Sequence, residues 1–394
     1  MDPLVNPFAP GAGSQPPELA GRDEVLFKAR IATTRVSMGS PDRSQILVGL
    51  RGVGKTVLLN KMREAAEEAG FQAILLEAHE DKSLPALLLP PLRKVLLGMD
   101  SPAAAVSQKV KRGIKVLRSF LGAVKLRAKL GDIGEIELGV DPEIGVADSG
   151  DLETDLSDLF VAVGEAAKDR SSTICLLVDE LQYLNEREMS ALIMALHQVA
   201  QRNLPMILIG AGLPQVVGLA GKSKSYAERL FEFPQIGPLS KSDAIDALQS
   251  PVRLRNISFS AAALDVIVNQ TEGYPYFLQQ WGHDSWNIAE GPEITVQDVS
   301  RASAVAIRKL DESFFRVRFD RLTKREKDYI FAMEALGSKQ MRSGDIAEKL
   351  GVKLQSVAPL RSSLIRKGMI YSPAHGDTAF TVPLFDNYLR RQLA

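Results

Sequence analysis

Residues Gly49-Leu-Arg-Gly-Val-Gly-Lys-Thr56 follow the pattern GxxxxGK[ST], in which every fixed position suits the handling of phosphate. Gly49, Gly52 and Gly54 let the backbone curl until its N–H groups surround phosphate oxygens, with Val53 and Val57 completing the candidate cradle. Lys55 brings a positive charge within reach of the β- and γ-phosphates, and Thr56 brings a hydroxyl ligand for Mg²⁺. A helix expected from about Lys55 to Ala69 points its positive end at the same anion. Ile46-Leu47-Val48, directly before the loop, reads as a buried parallel strand. ATP and Mg²⁺ are the expected cofactors. A plain glycine-rich turn would account for the glycines but not for Lys55-Thr56.

A second run, Thr173-Ile-Cys-Leu-Leu-Val-Asp-Glu180, is an apolar strand that ends in two carboxylates. Asp179 is placed to hold Mg²⁺, usually through water, and Glu180 to orient and polarise an attacking water. Phosphoryl transfer asks mainly for positioning and charge neutralisation, so this pair is a sufficient minimal set. It points to hydrolysis, although an ATP switch that turns over slowly carries the same residues.

The elements that position these groups follow from length and pattern. A chain of 394 residues predicts two or three domains. Lys plus Arg equals Asp plus Glu at 48 each, so only local charge asymmetry is informative. A single cysteine, Cys175, rules out a disulfide framework, and four scattered histidines offer no zinc spacing. No apolar stretch approaches a membrane span and no signal-peptide pattern opens the chain, so a soluble, cytoplasmic protein without a membrane partner is expected.

Met1 to Pro17, rich in Pro, Gly and Ala, is expected to be a disordered tail. From residue 18 to 238, helical and apolar-strand patterns alternate, which predicts an α/β P-loop core: a parallel sheet with helices on both faces. An insertion at about 101–150 interrupts it. There Val110, Ile114, Leu117, Leu121, Val124 and Ala128 form an apolar stripe flanked by basic residues from Lys109 to Lys129, and acidic residues from Asp132 to Asp148 follow. This block reads either as a partner surface or as a solvated helix packed on the core. Residues 239–318 read as an all-helical lid with caps at Ser240 and Thr295.

Together these motifs resemble the AAA+ ATPases, in particular the origin-recognition-type branch and the related signalling ATPases that carry a GxP motif. The resemblance runs from about Leu19 to the C-terminus. It implies that Gly21-Arg22 lies against adenine, that Arg229 serves as an arginine finger toward a neighbouring subunit, and that Pro275 of Gly273-Tyr274-Pro275 helps to sense nucleotide. Arg229 also fits an ordinary helix C-terminus, and Gly273 to Pro275 an ordinary helix start. Two departures weaken the case for turnover. Gly210-Ala211-Gly212 offers no polar group where the family often has its first sensor, and no arginine closely follows Pro275 for the second.

Residues 319–394 read as a C-terminal winged helix-turn-helix: a capping box at Thr323-Lys-Arg-Glu326, two further helices ending at Gly351 and Gly368, and a hairpin from Met369. Helix-turn-helix geometry would set the third helix in a DNA major groove, with Lys353, Arg361, Arg366 and Lys367 as candidate contacts. Base-reading residues are sparse there and Pro359 lies inside the helix. The leading expectation is an ATP-dependent switch or loader that binds double-stranded DNA, with a homo-oligomer as a possible assembly. The alternative is a signalling or defence switch whose winged helix binds protein and not DNA.

Overall fold

A computed structural model describes residues 1–11, 13–99, 107–127, 141–337, 340–374 and 376–393, without the side chains of 125–127. Ala128, Lys129, Asp132, Glu135 and Glu137 of the basic–acidic block therefore lie outside the described residues, as does His375 of the hairpin.

The core sheet is parallel throughout, in the order β2-β3-β4-β1-β5: β1 is Ser44–Val48, β2 Gln72–Glu77, β3 Ile174–Asp179, β4 Met206–Gly212 and β5 Phe231–Glu232. Its strands read as unbroken apolar runs because both faces are covered. Ile174, Leu176 and Val178 of β3 enter one hydrophobic core with the helices at 84–99, 108–127, 152–169 and 186–201. Cys175 and Leu177 enter a second core with the helices at 23–37 and 55–68. Burial pushes the Cys175 thiol up to about 12, so it behaves as a small apolar residue. β5 is shorter than the strand expected over Phe231 to Ile236; only a bridge from Val48 to Gln235 continues it.

The described part of the insertion packs onto this body. Val110, Ile114, Leu117 and Leu121 on helix 108–127 are buried in the first core, while Lys109 and Arg112 pair with Glu165 and Arg112 also with Glu143. Its basic residues are thus partly neutralised by the body they decorate.

A third core, continuous from the helical region to the C-terminus, holds the lid and the winged helix together. The capping boxes at Thr295 and Thr323 form, and Ser240 caps its helix. The winged helix has helices at 324–336, 343–349 and 354–366, with Met341–Arg342, Asp377–Phe380 and Ile370–Tyr371 in a three-stranded sheet. Ser343 opens the second helix and Arg342 occupies the cap position.

Met1 to Ala9, read from composition as part of a mobile tail, lies on the lid. Phe8 is only 3% exposed and meets Phe259 edge to face; Gly282 leaves room for its ring, since a Cβ there would stand 2.7 Å from it. Asn6 donates to the carbonyl of His283, Trp286 donates to the carbonyl of Asp2, and the Ala9 N–H donates to Gln279 Oε1. One buried aromatic ring and these hydrogen bonds outweigh the chain entropy that composition suggested.

Glu326 is buried where three winged-helix elements meet. It caps Thr323 and accepts from Lys367 Nζ at 2.7 Å and from Ser363 Oγ at 2.7 Å. Burial alone would raise its carboxyl, but Lys367, Thr323 and Ser363 together bring it down to about 2. This depressed group stabilises the fold fully above the ordinary carboxylate range and loses its contribution as pH falls toward 2. Lys367→Met is expected to destabilise the protein by about 2 kcal/mol at neutral pH, with or without DNA. Thermal melts at pH 7 and pH 3 check this, and the gap between variant and parent should narrow at the lower pH.

Candidate nucleotide site

The glycines of the phosphate loop are required by its geometry. A Cβ on Gly49 would lie 2.2 Å from the carbonyl of Ile236, and Gly54 sits at φ +92°, which disfavours any side chain. The loop hands the chain to helix 55–68, whose first residue, Lys55, is buried. Its Nζ donates to the carbonyls of Gly49 at 2.8 Å and Leu50 at 2.9 Å. Burial lowers the Lys55 ammonium to about 8 against the opposing pull of Glu180 and Asp179. A phosphate oxygen is a better partner for such a cation than two carbonyls.

Thr56 Oγ1 donates to Asp179 Oδ2 at 2.6 Å, so both expected Mg²⁺ ligands stand together at the floor of the cavity. Burial raises the Asp179 carboxyl, against the Thr56 hydrogen bond. Among the described residues no group of three or more His, Cys, Asp or Glu could hold a metal alone. That donor set fits a hard cation whose other ligands are phosphate oxygens and water. Bound there, such an ion would neutralise charge on the β- and γ-phosphates of a nucleotide.

The cavity above this floor has a volume of about 250 Å³. Gly52, Val53, Gly54, Lys55, Thr56 and Val57 line it with Asp179, Glu180, Arg22 and Pro275. Arg22 Nη2 donates to the carbonyls of Gly237 at 2.6 Å and Val53 at 3.3 Å. Gly21, at φ +66°, turns the chain into that helix, and a Cβ there would stand 2.6 Å from Asp243 Oδ2. Pro275 starts helix 275–288, and the next N–H, of Tyr276, donates to the carbonyl of Gly52 at 3.2 Å. Arg229 is exposed just before β5 and does not line the cavity.

On either side of residue 12, Pro10, Gly11, Gly13, Ser14 and Pro16 form part of the wall of this cavity. Gln15 reaches Glu64 on helix 55–68 at 3.4 Å. The N-terminal segment therefore bridges lid and core across the nucleotide cleft.

Glu180 adopts φ +55°, a left-handed conformation that a non-glycine residue holds only when its surroundings impose it. Asp179 Oδ1 accepts its N–H at 2.8 Å, and the Gln182 amide donates to Glu180 Oε2. Gln182 Oε1 in turn accepts the Leu213 N–H at 2.9 Å. Gln182 is the polar group missing from strand β4. Gly210 and Gly212 make room for it and for Leu181, since a Cβ on Gly212 would lie 3.0 Å from Gln182 Oε1 and one on Gly210 would lie 2.3 Å from Leu181. The two glycines that read as an absent sensor are the space into which the Leu181–Tyr183 turn fits.

Two arginines were not legible as site residues. Arg51 sends Nη1 to within 3.5 Å of Glu180 Oε1 and Nη2 to 3.2 Å from the Tyr183 hydroxyl. Its backbone N–H donates to the carbonyl of Thr381 in the winged helix at 3.1 Å. Arg318 enters the cavity from the far end of the lid. Helix 296–309 runs into a π-helical stretch, Leu310–Phe315, and then into 316–320. The altered register lets Phe314 and Arg318 line the cavity while Phe315 stacks on Tyr388 of the C-terminal helix. Arg318 lies over the Phe314 ring at 4.1 Å, and burial together with Arg51 brings its guanidinium down to about 10.

Residues 18–209 match the model of the AAA ATPase domain. Residues 312–389, which include Arg318 and the winged helix, match a domain of unknown function, DUF8462. The Walker-type ATPase PABY2304 of Pyrococcus abyssi has a similar structure: TM-score 0.55 at 15% identity, covering 95% of this chain and 97% of that one. This likeness establishes the fold. Orc1 of Aeropyrum pernix in complex with DNA aligns at TM-score 0.48 and 14% identity, over 96% and 94% of the chains. Cdc6p of Pyrobaculum aerophilum aligns at TM-score 0.48 and 14% identity, over 100% and 99%. No curated protein matches the chain.

The candidate winged-helix contacts divide into two pairs. Lys353 and Arg366 are exposed. Arg361 is engaged inside the module, donating to Thr378 Oγ1 at 3.1 Å, Ser372 Oγ at 2.7 Å and the carbonyl of Asp377 at 2.9 Å. Lys367 is held by Glu326. Arg361 therefore hydrogen-bonds neutral hairpin groups and Lys367 pairs with a buried carboxylate, while Lys353 and Arg366 are the more exposed pair.

Two outcomes follow for the site. Gln182→Leu is expected to lower turnover roughly ten-fold while ATP affinity stays within about two-fold, because it removes a partner of Glu180 and the acceptor of the Leu213 N–H but no residue that lines the cavity. Equilibrium ATP titration and steady-state phosphate release read the two quantities. Phe8→Ala is expected to detach the N-terminal bridge and speed the release of a fluorescent ATP analogue in stopped flow; an unchanged rate would show that the bridge does not guard the cleft.

Proposed function

We propose that this chain is an ATP-binding P-loop ATPase that acts as a switch, hydrolysing ATP with Mg²⁺ and setting the position of its winged helix by the state of the phosphate loop. The observation that carries the proposal is the Arg51 N–H donated to the carbonyl of Thr381 at 3.1 Å. It ties the element that would hold the nucleotide to the module that would act on a partner. In this reading the loop N–H groups and Lys55 bind phosphate, and Thr56 and Asp179 hold Mg²⁺. Glu180, steadied by Gln182, orients the attacking water and receives its proton. Arg229, exposed and away from its own cavity, serves as an arginine finger toward a neighbouring copy in a homo-oligomer.

The partner of the winged helix follows from its exposed face. Arg361 and Lys367 are engaged internally, while Val352 and Leu354 at the start of the third helix are 45% and 56% exposed. These favour a protein-directed switch. A DNA-directed switch, as in the initiator-type relatives, rests on the exposed Lys353 and Arg366.

Binding of duplex DNA by Glu180→Gln protein, with and without ATP-Mg²⁺ at two salt concentrations, separates these readings. The protein-directed reading expects no salt-sensitive binding in either state; ATP-dependent binding that weakens steeply with salt replaces it with the DNA reading. In the same assay Lys55→Ala should lose most ATP affinity, and retained affinity would remove the nucleotide reading itself.

A further inference from the structure

Beside the nucleotide cavity lies a second cavity of about 200 Å³, at the junction of the phosphate loop, the end of the lid and the winged helix. Arg51 and Arg318 line both cavities. The second adds Arg321 and Lys367, with the Tyr183 hydroxyl and Gly368, and no carboxylate among its described lining residues. Lys367 is neutralised by Glu326, and Arg51 faces Glu180 at 3.5 Å. Among the described residues no ion pair is formed by Arg318 or Arg321. Arg318 is only partly exposed; burial and then Arg51 and Arg321 act against its charge, while Tyr276 and Glu180 favour it.

Two guanidiniums without an ion pair, next to a third in long contact with Glu180, leave a region of net positive charge behind the loop that Glu180 offsets only in part. Such clustering disfavours the ligand-free fold, and an anion with several oxygens relieves it, because the planar forks of arginine match a phosphate's oxygens. Gly368 keeps the entrance open: a Cβ there would stand 2.7 Å from Arg51 Nη2.

We propose that this junction cavity is a phosphate site separate from the phosphate loop, with one wall built from the winged helix. It takes a phosphate group through Arg318 and Arg321, with Arg51 and the Tyr183 hydroxyl on the side nearest the nucleotide. The group is either free inorganic phosphate or the terminal phosphate of a bound triphosphate. Only the choice between those sources rests on the nucleotide reading. Because Lys367 and Gly368 belong to the winged helix, occupancy of the site adds a contact between that module and the core.

Isothermal titration of inorganic phosphate into the full chain tests the proposal. Binding is expected to nucleotide-free wild type and to Lys55→Ala, in which the loop cradle is disabled. Arg321→Glu is expected to weaken it at least ten-fold, and Arg321→Gln to a smaller extent. Arg321 is exposed, so neither change is expected to disturb folding. Binding that is lost in Lys55→Ala and kept in Arg321→Glu would place the phosphate in the loop cradle and overturn the proposal. So would absence of binding to wild type at millimolar phosphate. Repeating the titration with ADP or ATP present identifies the source: exclusion by ATP and not by ADP assigns the site to the terminal phosphate, whereas binding beside both assigns it to the free ion.

Discussion

The phosphate loop is tied by backbone hydrogen bonds to two modules that follow it in the chain. Gly52 gives its carbonyl to Tyr276 of the lid, and Arg51 gives its N–H to Thr381 of the winged helix. These bonds depend on a loop that glycines allow to curl tightly and on an Arg51 side chain that finds space beneath Gly368. The rest of the arrangement depends on them: the lid covers the cavity, the winged helix abuts the loop at the neighbouring junction cavity, and described N-terminal residues line the nucleotide cavity's wall. A change in the loop is therefore a change at three interfaces at once.

The energetics favour a coupled response. The lid and the winged helix share one hydrophobic core, so they are not independently hinged beads. Phe315, Phe385 and Tyr388 stack in series, and Arg391 pairs with Asp311 at the start of the π-helical stretch. Close-packed aromatic clusters transmit displacement better than they absorb it. Arg318, carried by that stretch, is the point at which the packed C-terminal body reaches the chemistry. A strained Glu180 at the opposite wall, held by Gln182, completes a cavity assembled from widely separated stretches of chain.

The motif residues were legible because phosphate chemistry demands them locally. Gly49 to Thr56 and Asp179-Glu180 each lie within a few residues, so spacing alone announces a cradle, a metal side and a water side. The alternating apolar runs gave the parallel sheet for the same local reason: a strand buried on both faces has no polar alternation. The capping boxes at Thr295 and Thr323 are equally local. The N-terminal segment was misread because one ring, Phe8, decides its fate, and composition averages over one ring.

What the sequence by itself determined, then, is the loop, the carboxylates, the sheet, and the helical and winged modules in their order. What only the tertiary structure decided is which distant residues share the cavity. Gln182, from the turn after β3, meets both Glu180 and the Leu213 N–H, Arg318 arrives more than a hundred residues after Glu180, and Arg361 and Lys367 turn inward to satisfy a hairpin and a buried carboxylate. The physical reason is that charge has no period along the chain. Apolar spacing records which face is buried, but a guanidinium is placed by the partners and desolvation it meets after folding.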